Sequence, residues 1–430
     1  MNGFLVAAPH SGSGKTTVTL GLLRALRNRG VKLAPAKAGP DYIDPAFHEA
    51  ASGETCINLD PWAMRPALLH AIANNHAGDD RLLIVEGMMG LFDGAADGQG
   101  SAADLAVLLG LPVVFVVDCG RMAHSITALV SGFMDFRQDV EIAGVILNRV
   151  GSARHEAVLR EALNARDIEV LGVVHRQDEL HLPSRHLGLV QAGEHEDIER
   201  FLADAAFAIS AGIDLDRLAA LTVQGRGSNR TATRLPPLGQ RIAVARDEAF
   251  AFSYPHLLDG WRDQGAEISF FSPLADEMPS EGSDAIYLPG GYPELHAGRI
   301  SAAGRFVGGL RDAAQAGVRI YGECGGYMVL GDGLIDGDGV RHAMAGLLPV
   351  TTSYAKRQRH LGYRRLKPLA GAPWDLPLTA HEFHYSTLAS EGEGERLYSA
   401  SDARGDALGE VGLRRGSVSG SYMHVIDRAP

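Results

Sequence analysis

The fold of the first half of the chain is decided by residues 4–17, which read Phe4-Leu5-Val6-Ala7-Ala8-Pro9-His10-Ser11-Gly12-Ser13-Gly14-Lys15-Thr16-Thr17. An apolar run, a glycine-rich segment and a helical pattern over Thr16–Arg29 follow one another, and this order is typical of a phosphate-binding loop. Backbone N–H groups at the start of the helix face the phosphates in such a loop, and its lysine neutralises them. We therefore predict that ATP phosphates bind at Ser11, Gly12, Ser13, Gly14, Lys15, Thr16 and Thr17. Pro9 replaces the usual first glycine, and a tight turn without a ligand is the alternative.

Strands and helices continue to alternate along the chain. Apolar β-branched runs and helical patterns are found at Leu82–Val85, Ala102–Leu109, Val113–Val117, His124–Phe136 and Ile142–Leu147. A second series of strands follows at Arg241–Ala245, Ile268–Phe271, Ala285–Leu288 and Val318–Tyr321. This pattern predicts an α/β protein with mostly parallel sheets. A polar stretch with paired prolines separates the two series, so we predict domains at 1–225 and 241–430 with a linker at 226–240.

The composition excludes several classes of protein. A formal net charge of −12 argues against nonspecific binding of nucleic acid, which relies on basic surfaces. The sequence has no run of the roughly eighteen apolar residues that a membrane-spanning helix needs. Because no basic leader precedes the first apolar run, we expect a cytoplasmic protein. Three scattered cysteines, Cys56, Cys119 and Cys324, indicate a reducing compartment and neither a disulfide framework nor a zinc site.

Acidic and basic side chains follow several of the predicted strands. Glu86 lies at the C-terminal end of the predicted strand that begins at Leu82. In open α/β sheets ligands bind at the carboxyl ends of the parallel strands. We predict that Thr16, Asp41 and Glu86 hold Mg²⁺, with Glu86 acting directly or through water. Lys37 could stabilise a transferring phosphoryl group, and Asn148, at another strand end, could contact adenine. The alternatives are that Glu86 caps a turn and that the loop after Lys37 is purely structural.

A cysteine lies on a predicted sharp turn in the second half. Gly322-Glu323-Cys324-Gly325-Gly326 follows an apolar run and precedes a helical pattern, which is the arrangement of a nucleophile elbow. We expect the helix N-terminus to lower the pKa of the Cys324 thiol and so to favour the nucleophilic thiolate. An inert buried cysteine is the alternative. Three downstream histidines could act as its base, His381, His384 and His424, and the residues alone do not rank them. The first two have the spacing of a metal pair, but no third ligand is evident.

Together these motifs resemble the cobyrinate and hydrogenobyrinate a,c-diamide synthases of corrinoid biosynthesis. The resemblance covers nearly the whole chain and rests on residues 11–17, 37–45, 86–94, 182–189, 288–295 and the elbow. Its most specific segment is Gly39-Pro40-Asp41-Tyr42-Ile43-Asp44-Pro45, which separates this family from cobyric acid synthase. The resemblance implies a dethiobiotin-synthetase-like phosphate-loop domain and a class I glutamine amidotransferase-like domain with a flavodoxin-like sheet.

Residue roles also follow from the resemblance. It implies that Cys324 is the nucleophile, that His424 is its base, and that Gly290 and Gly291 supply oxyanion donors. It assigns Tyr42, Ile43, Asp44 and Asp93 to the corrinoid side of the synthetase site. Ordinary class I enzymes have a glutamate two residues after the histidine, whereas this chain has Ile426, so a cysteine–histidine dyad or another orienting group is implied. A polycarboxylate corrinoid also needs cationic contacts, for which Arg149 and Arg185 are candidates.

The predicted reaction is amidation of the a- and c-acetates of hydrogenobyrinic or cobyrinic acid, with ATP, L-glutamine and Mg²⁺. The loop 8–13 looks more like that of the aerobic-pathway enzymes, which favours hydrogenobyrinate. A related ligase of the cobyric acid synthase type is the first alternative. A partition-type ATPase is disfavoured because His10 stands where that class has its signature lysine and because the cysteine elbow is intact. We expect ammonia to follow an enclosed path between the domains, and a homodimer is compatible with these predictions.

Overall fold

The structure, a computed structural model, describes residues 2–177, 180, 197–221 and 231–429, and the backbone alone at 184–185 and 188–189. Two compact units are present, one formed by Met1–Trp62 and Pro66–Ala232 and the other by Ala63–Arg65 and Thr233–Pro430. The boundary at Thr233 falls inside the predicted linker, whose residues 226–230 lie outside the described part of the chain.

The first unit contains a seven-stranded parallel sheet in the order β3-β2-β4-β1-β5-β6-β7. Its strands are β1 (Asn2–Ala7), β2 (Leu33–Ala38), β3 (Ile57–Leu59), β4 (Leu82–Glu86), β5 (Val113–Asp118), β6 (Ile142–Val150) and β7 (Val170–His175), and a separate hairpin joins β8 (Ser184–Arg185) to β9 (Gly188–Leu189). Its helices are α1 (Lys15–Asn28), α2 (Ile43–Ser52), α3 (Pro66–Ala77), α4 (Ala102–Leu109), α5 (Ser125–Phe136), α6 (Ala153–Asn164), α7 (Ile198–Gly212) and α8 (Leu215–Ala219).

The predicted elements of this unit are confirmed to within a few residues at their ends. The central strands are almost completely buried, as expected for a parallel sheet that is covered on both faces. The strand order reverses at β1, the strand that leads into the glycine-rich loop. At this edge Lys37 of β2 pairs in register with Glu86 of β4, and Glu86 pairs with Val6 of β1. The fold therefore brings the ends of three strands, and the polar residues on them, to one place.

The second unit is built on a ten-stranded sheet in the order β11-β10-β12-β13-β22-β21-β20-β17-β18-β23, beside a four-stranded sheet in the order β15-β14-β16-β19. The strands are β10 (Arg241–Ala245), β11 (Glu267–Phe271), β12 (Ala285–Leu288), β13 (Arg319–Glu323), β14 (Gly333–Ile335), β15 (Arg341–Ala343), β16 (Val350–Ser353), β17 (His360–Pro368), β18 (Leu378–His384), β19 (Thr387–Glu391), β20 (Glu395–Asp402), β21 (Ala407–Arg415), β22 (Val418–Ser421) and β23 (Met423–Arg428). The helices are α9 (Pro255–Asp263), α10 (Ala297–Ala302), α11 (Gly304–Gln315) and α12 (Gly325–Leu330).

The large sheet of the second unit has two halves of different character. The strands β11, β10, β12, β13 and β22 are parallel, and the first four of these were predicted. From β22 to β23 the neighbouring strands are antiparallel, and this half was not predicted. The α/β class is thus confirmed, with an antiparallel extension of the second sheet. Among the residues that the structure describes, no helix has both the length and the apolar character needed to cross a membrane.

Candidate functional site

The glycine-rich loop of the first unit has the conformation that a phosphate loop needs. Gly12 and Gly14 have φ of 84° and 86°, and Gly14 directly precedes α1. A Cβ on Gly14 would lie 2.2 Å from Nδ2 of Asn148, so the position excludes any side chain. Nδ2 of Asn148 donates a hydrogen bond to the Ser13 carbonyl at 2.9 Å. Asn148, near the end of β6, therefore holds the loop in place. The sequence had predicted a contact of this residue with adenine.

The loop 86–94 is hydrogen-bonded to the phosphate loop. The Thr16 hydroxyl donates to Oε1 of Glu86 at 2.7 Å, and Nζ of Lys15 donates to the carbonyl of Met89 at 3.0 Å. Met89 has a φ of 53°, a left-handed conformation that directs its carbonyl in this way. Burial lowers the pKa of Lys15, and the charge of Glu86 acts in the opposite direction. These contacts bring Lys15, Thr16 and Glu86 together as the sequence predicted.

Behind these residues lies a buried charge cluster formed by Lys37, Asp44, His48 and Glu86. Nζ of Lys37 contacts Asp44 and donates to Oε1 of Glu86 at 2.9 Å, while Nε2 of His48 lies 2.7 Å from Oε2 of Glu86. Burial favours the protonated form of Glu86, but the charge of Lys37 and the contact with His48 outweigh it and hold the pKa of Glu86 below its usual value. Burial and the charge of Asp41 raise the pKa of Asp44 to about 6. The predicted roles of Lys37 at phosphate and of Asp44 at the corrinoid stay predictions.

The predicted metal ligands supply the oxygen donors that Mg²⁺ prefers. The Thr16 hydroxyl and the Glu86 carboxylate are already in contact. Oδ1 of Asp41 accepts hydrogen bonds from the N–H groups of Ile43 at 2.8 Å and Asp44 at 3.1 Å, which fixes the start of α2. Since Lys37 and His48 occupy both oxygens of Glu86, this carboxylate is better suited to hold a hydrated ion through water than to bind it directly.

A cavity of about 670 Å³ opens beside Gly14 at the ends of β5, β6 and β7. Its lining includes Asp118, Asn148, Arg149 and Arg176. Cavities of this size are typical of small-molecule sites. Nη1 of Arg149 bonds to Asp118 and to the Gly12 carbonyl, the latter at 3.1 Å. Arg149, which the sequence offered as a corrinoid contact, therefore lies at the phosphate loop, where the nucleotide is expected.

The residues assigned to the corrinoid lie close to this edge or outside the described side chains. Tyr42 immediately precedes α2 and Ile43 is its first residue. Asp93 is exposed, and its Oδ2 accepts a hydrogen bond from the N–H of Gly90 at 2.9 Å. The structure describes only the backbone of Arg185, in β8, so the prediction for its side chain lies outside the described residues.

In the second unit Cys324 forms a sharp turn between β13 and α12. It has a φ of 45°, which is unusual for a residue with a side chain and indicates stored backbone strain. Its N–H donates to the Ser421 carbonyl at 2.8 Å, and its side chain is buried. The predicted elbow geometry is therefore present.

His424, one of the three candidate histidines, lies at the elbow. A Cβ on Gly290 would lie 2.3 Å from Cε1 of His424, 3.1 Å from its Nδ1 and 3.3 Å from Cβ of Cys324. Gly290 therefore lies against both the imidazole of His424 and the side chain of Cys324, and the space there is too small for a methyl group. The Gly291 nitrogen lies 3.0 Å from the position that a Cβ of Gly325 would take, so the predicted oxyanion segment faces the elbow. This geometry favours His424 among the three candidate bases.

The prediction that the helix N-terminus lowers the pKa of the Cys324 thiol is wrong. Burial raises the pKa of Cys324 far above its usual value, the charge of Glu294 raises it further, and a hydrogen bond from the Gly325 N–H opposes them only in part. α12 has six residues, too few for a strong dipole. Burial, followed by His381 and His384, lowers the pKa of His424 to about 3. The pair at rest is a neutral thiol beside a neutral imidazole.

The metal pair considered for His381 and His384 is also revised. Ligand atoms of His360, Glu382 and His384 all lie within 4.8 Å of one another, so a third ligand does exist for His384. However, Arg364 binds Oε2 of Glu382 through Nε and Nη2 at 2.8 Å and 2.7 Å, and Nε2 of His384 lies 3.2 Å from Oε1. The guanidinium already balances the carboxylate charge. We interpret this group as a hydrogen-bonded ion pair beside the elbow.

A buried acid that was not predicted from the sequence connects the two catalytic candidates. Oε1 of Glu323 accepts a hydrogen bond from the N–H of Val425 at 3.1 Å, and Oε2 accepts one from the Tyr287 hydroxyl at 2.8 Å. Burial raises the pKa of Glu323 to about 7, and the bond from Tyr287 opposes this. Because Glu323 precedes the nucleophile and Val425 follows His424, one side chain fixes both segments. Ile426, where an acid was expected, is completely buried.

Comparisons with known proteins agree with this geometry. A CobQ/CobB/MinD/ParA nucleotide binding domain matches residues 4–190, and a CobB/CobQ-like glutamine amidotransferase domain matches residues 241–429. A hydrogenobyrinate a,c-diamide synthase of Brucella anthropi is 64% identical over 430 residues, covering 99% of both chains. The chain belongs to the hydrogenobyrinate a,c-diamide synthase family. Other diamide synthases, from Rhizobium meliloti and Rhodobacter capsulatus, are 60% and 50% identical over 427 and 431 residues, covering 99% of this chain and 99% and 98% of theirs.

Diamide synthases are glutamine-hydrolysing carbon–nitrogen ligases, so this chain is a ligase that forms amides in cobalamin biosynthesis. The family prediction made from the motifs is thereby confirmed. Three residues at the diamide synthase elbow were not predicted: Glu323, Gly325 and Glu294. Gly325 could have been found, because the N–H after the nucleophile is a regular oxyanion donor in such elbows. The two acids carry no such signal, because the contact of Glu323 with Val425 and the position of Glu294 near Cys324 both depend on packing.

Proposed function

We propose that this ligase uses Mg²⁺-ATP to convert the a- and c-acetate carboxylates of hydrogenobyrinic acid into acyl phosphates, and amidates each one with ammonia released from glutamine. The observation that carries the proposal is that one chain contains both a phosphate loop bonded to Glu86 and a cysteine elbow beside His424. Its full-length similarity to proteins named for this reaction supports the choice of substrate.

The chemistry requires both sites. Attack of ammonia on a free carboxylate must expel hydroxide, whose conjugate acid has a pKa of about 15.7. Expulsion of phosphate, with a pKa of about 6, is far easier. The two pKa values differ by roughly ten units, so the better leaving group can lower the barrier to its expulsion by at most about 13 kcal/mol. Phosphorylation is therefore the step that makes amide formation feasible.

In the synthetase half, Lys15 and the N–H groups of the phosphate loop hold the triphosphate, and Thr16 with Glu86 would hold Mg²⁺. The metal, when bound, neutralises charge on the phosphate oxygens. Lys37 keeps Glu86 ionised within the buried cluster. Asn148 maintains the loop conformation on which these contacts depend.

In the glutaminase half, the Cys324 sulfur attacks the side-chain amide carbon of glutamine while its proton passes to His424. The N–H groups of Gly291 and Gly325, whose backbones are in contact at the elbow, would stabilise the oxyanion that forms. His424 then gives the proton to the departing nitrogen, so ammonia leaves and a glutamyl thioester remains. Water hydrolyses the thioester to glutamate and restores the thiol.

A donor-swap experiment tests the proposal. Cys324→Ala should lose glutamine-dependent diamide formation and retain ammonia-dependent formation, while Lys15→Ala should lose both. Carboxylate oxygens labelled with ¹⁸O should appear in the phosphate product if an acyl phosphate forms. Glutamine-dependent synthesis that survives in Cys324→Ala would contradict the nucleophile assignment, and full synthesis in Lys15→Ala would contradict the ATP site.

The substrate is tested by offering hydrogenobyrinic and cobyrinic acids separately and weighing the products by mass spectrometry. We expect a diamide from hydrogenobyrinic acid, with fragmentation that places the new amides on the a- and c-acetates. Amidation of other side chains of an a,c-diamide would instead favour the cobyric acid synthase type of reaction.

A further inference from the structure

Glu294 belongs to a segment that packs on the Cys324 elbow. Pro293–Leu295 form a short 3₁₀ turn directly after the oxyanion segment. A Cβ on Gly325 would lie 2.9 Å from Cδ of Pro293, so this turn touches the residue after the nucleophile. The Oε2 atom of Glu294 is buried and accepts no hydrogen bond from any residue that the structure describes. A buried carboxylate oxygen without a donor is costly, which indicates that a ligand supplies one.

The charge of Glu294 acts on the nucleophile. Burial raises the pKa of Glu294 to about 7, and a hydrogen bond from its own backbone N–H, one from the Tyr354 side chain and the charge of Arg357 oppose this shift. After burial, the Glu294 carboxylate contributes most to the raised pKa of Cys324. A negative charge at this place disfavours the thiolate that must attack glutamine. The arrangement becomes favourable once a cation binds at the carboxylate, because the cation removes the repulsion.

We propose that Glu294 binds the α-ammonium group of the glutamine whose amide Cys324 attacks. This inference rests on the proposed function, in which glutamine is the nitrogen donor. Glutamine carries one cationic group, and its short side chain lets the amide reach the nucleophile while the ammonium reaches a neighbouring residue. The ammonium N–H groups satisfy Oε2, and its charge offsets the effect of Glu294 on the thiol. Glu294 would thus select the free amino acid and couple its binding to activation of Cys324.

The test compares glutamine with glutaramate, the analogue that lacks the α-amino group. In the wild-type enzyme we expect kcat/KM for glutaminase activity to be about 10- to 100-fold higher for glutamine, the range for a hydrogen bond to a charged group. Glu294→Gln should lose most of this preference, chiefly through a higher KM for glutamine, while Glu294→Asp should keep part of it. Glu281→Gln, at an exposed acid of the same unit, is the matched control and should behave as wild type.

Three outcomes separate the possible failures. Equal losses on both substrates in Glu294→Gln would overturn the inference, because they would indicate a role in the fold or in the attack itself. An unchanged preference in Glu294→Gln would overturn it as well. Ammonia-dependent diamide formation, measured in the same preparations, reports on the synthetase half. Wild-type protein without glutaminase activity would therefore refute the proposed function, whereas altered discrimination alone concerns Glu294.

Discussion

Replacing Gly290 by alanine should selectively disable the glutaminase half. The new Cβ would lie 2.3 Å from Cε1 of His424, whereas carbon atoms in contact are separated by about 3.5–4.0 Å. The imidazole must therefore move by more than about 1 Å. The φ of Gly290 lies outside the left-handed region, so alanine is compatible with the backbone there. The new Cβ would also lie 3.3 Å from Cβ of Cys324, so the perturbation acts chiefly on the base and more weakly on the nucleophile beside it.

A displacement of about 1 Å at a catalytic group lowers a rate by about 100-fold. This corresponds to about 2.7 kcal/mol of lost transition-state stabilisation. We expect the glutaminase kcat of Gly290→Ala to fall by this factor and ammonia-dependent diamide formation to continue at the wild-type rate. Coupled detection of glutamate measures the first activity, and mass spectrometry of the corrinoid measures the second.

Gly308→Ala is the matched control, because Gly308 lies in α11 and a Cβ there meets no atom within 4 Å. It should leave both activities unchanged. Glutaminase activity within twofold of wild type in Gly290→Ala would refute the assignment of His424 as the base, since an imidazole displaced this far could not accept the Cys324 proton.

Further predictions concern the charge states and contacts of both sites. Burial raises the pKa of Cys324 above its usual value. The thiolate fraction of Cys324, and with it the rate of its alkylation by iodoacetamide, should therefore rise about tenfold per pH unit up to pH 9. A rate that reaches a plateau near pH 7 would contradict this. Glu323→Leu leaves the Val425 N–H and the Tyr287 hydroxyl without an acceptor, which costs about 1–3 kcal/mol of folding free energy for each group. This variant should therefore have a lower melting temperature and a lower glutaminase kcat. Glu323→Gln should preserve most of both. Thr16→Val removes the hydroxyl that is hydrogen-bonded to Glu86. It should raise the Mg²⁺ concentration needed for half-maximal synthesis by about tenfold, which is the effect expected for the loss of one charge-assisted contact. An unchanged Mg²⁺ titration would exclude Thr16 as a metal ligand. Because the pKa of Glu294 is about 7, its carboxylate becomes neutral as the pH falls below that value. The kcat/KM for glutamine should therefore decline below pH 7, whereas the kcat/KM for glutaramate should not. The other ionisable groups that act on this carboxyl are Cys324, Tyr354 and Arg357.

The parts of the fold that depend on local pattern could be predicted from the sequence. Strands such as β5 are continuous apolar runs, and α4 begins at a capping box formed by Ser101 and Asp104, so their bounds follow from short stretches. The antiparallel half of the second sheet could not be recognised in this way. β17, for example, carries several half-buried and exposed residues, so its apolar signal is weak. Its position depends on pairing with strands far away in the chain.

The same distinction applies to the sites. Motifs with fixed spacing placed Lys15, Thr16 and Cys324, because a loop between a strand and a helix determines its own geometry. The hydrogen bond from the Val425 N–H to the Glu323 carboxylate joins residues about a hundred positions apart, and no local pattern reports it. The error about the Cys324 pKa has the same origin. A short helix was expected to dominate, but burial and the distant Glu294 have the larger effects.

The central claim is that one chain activates corrinoid carboxylates with ATP and amidates them with nitrogen from glutamine. Its most direct test is the mass spectrum of the corrinoid formed from hydrogenobyrinic acid with ATP, Mg²⁺ and glutamine labelled with ¹⁵N in its side-chain amide. We predict a diamide in which both new amide nitrogens carry the label. Recovery of unamidated hydrogenobyrinic acid, or of a diamide without the label, would contradict the account.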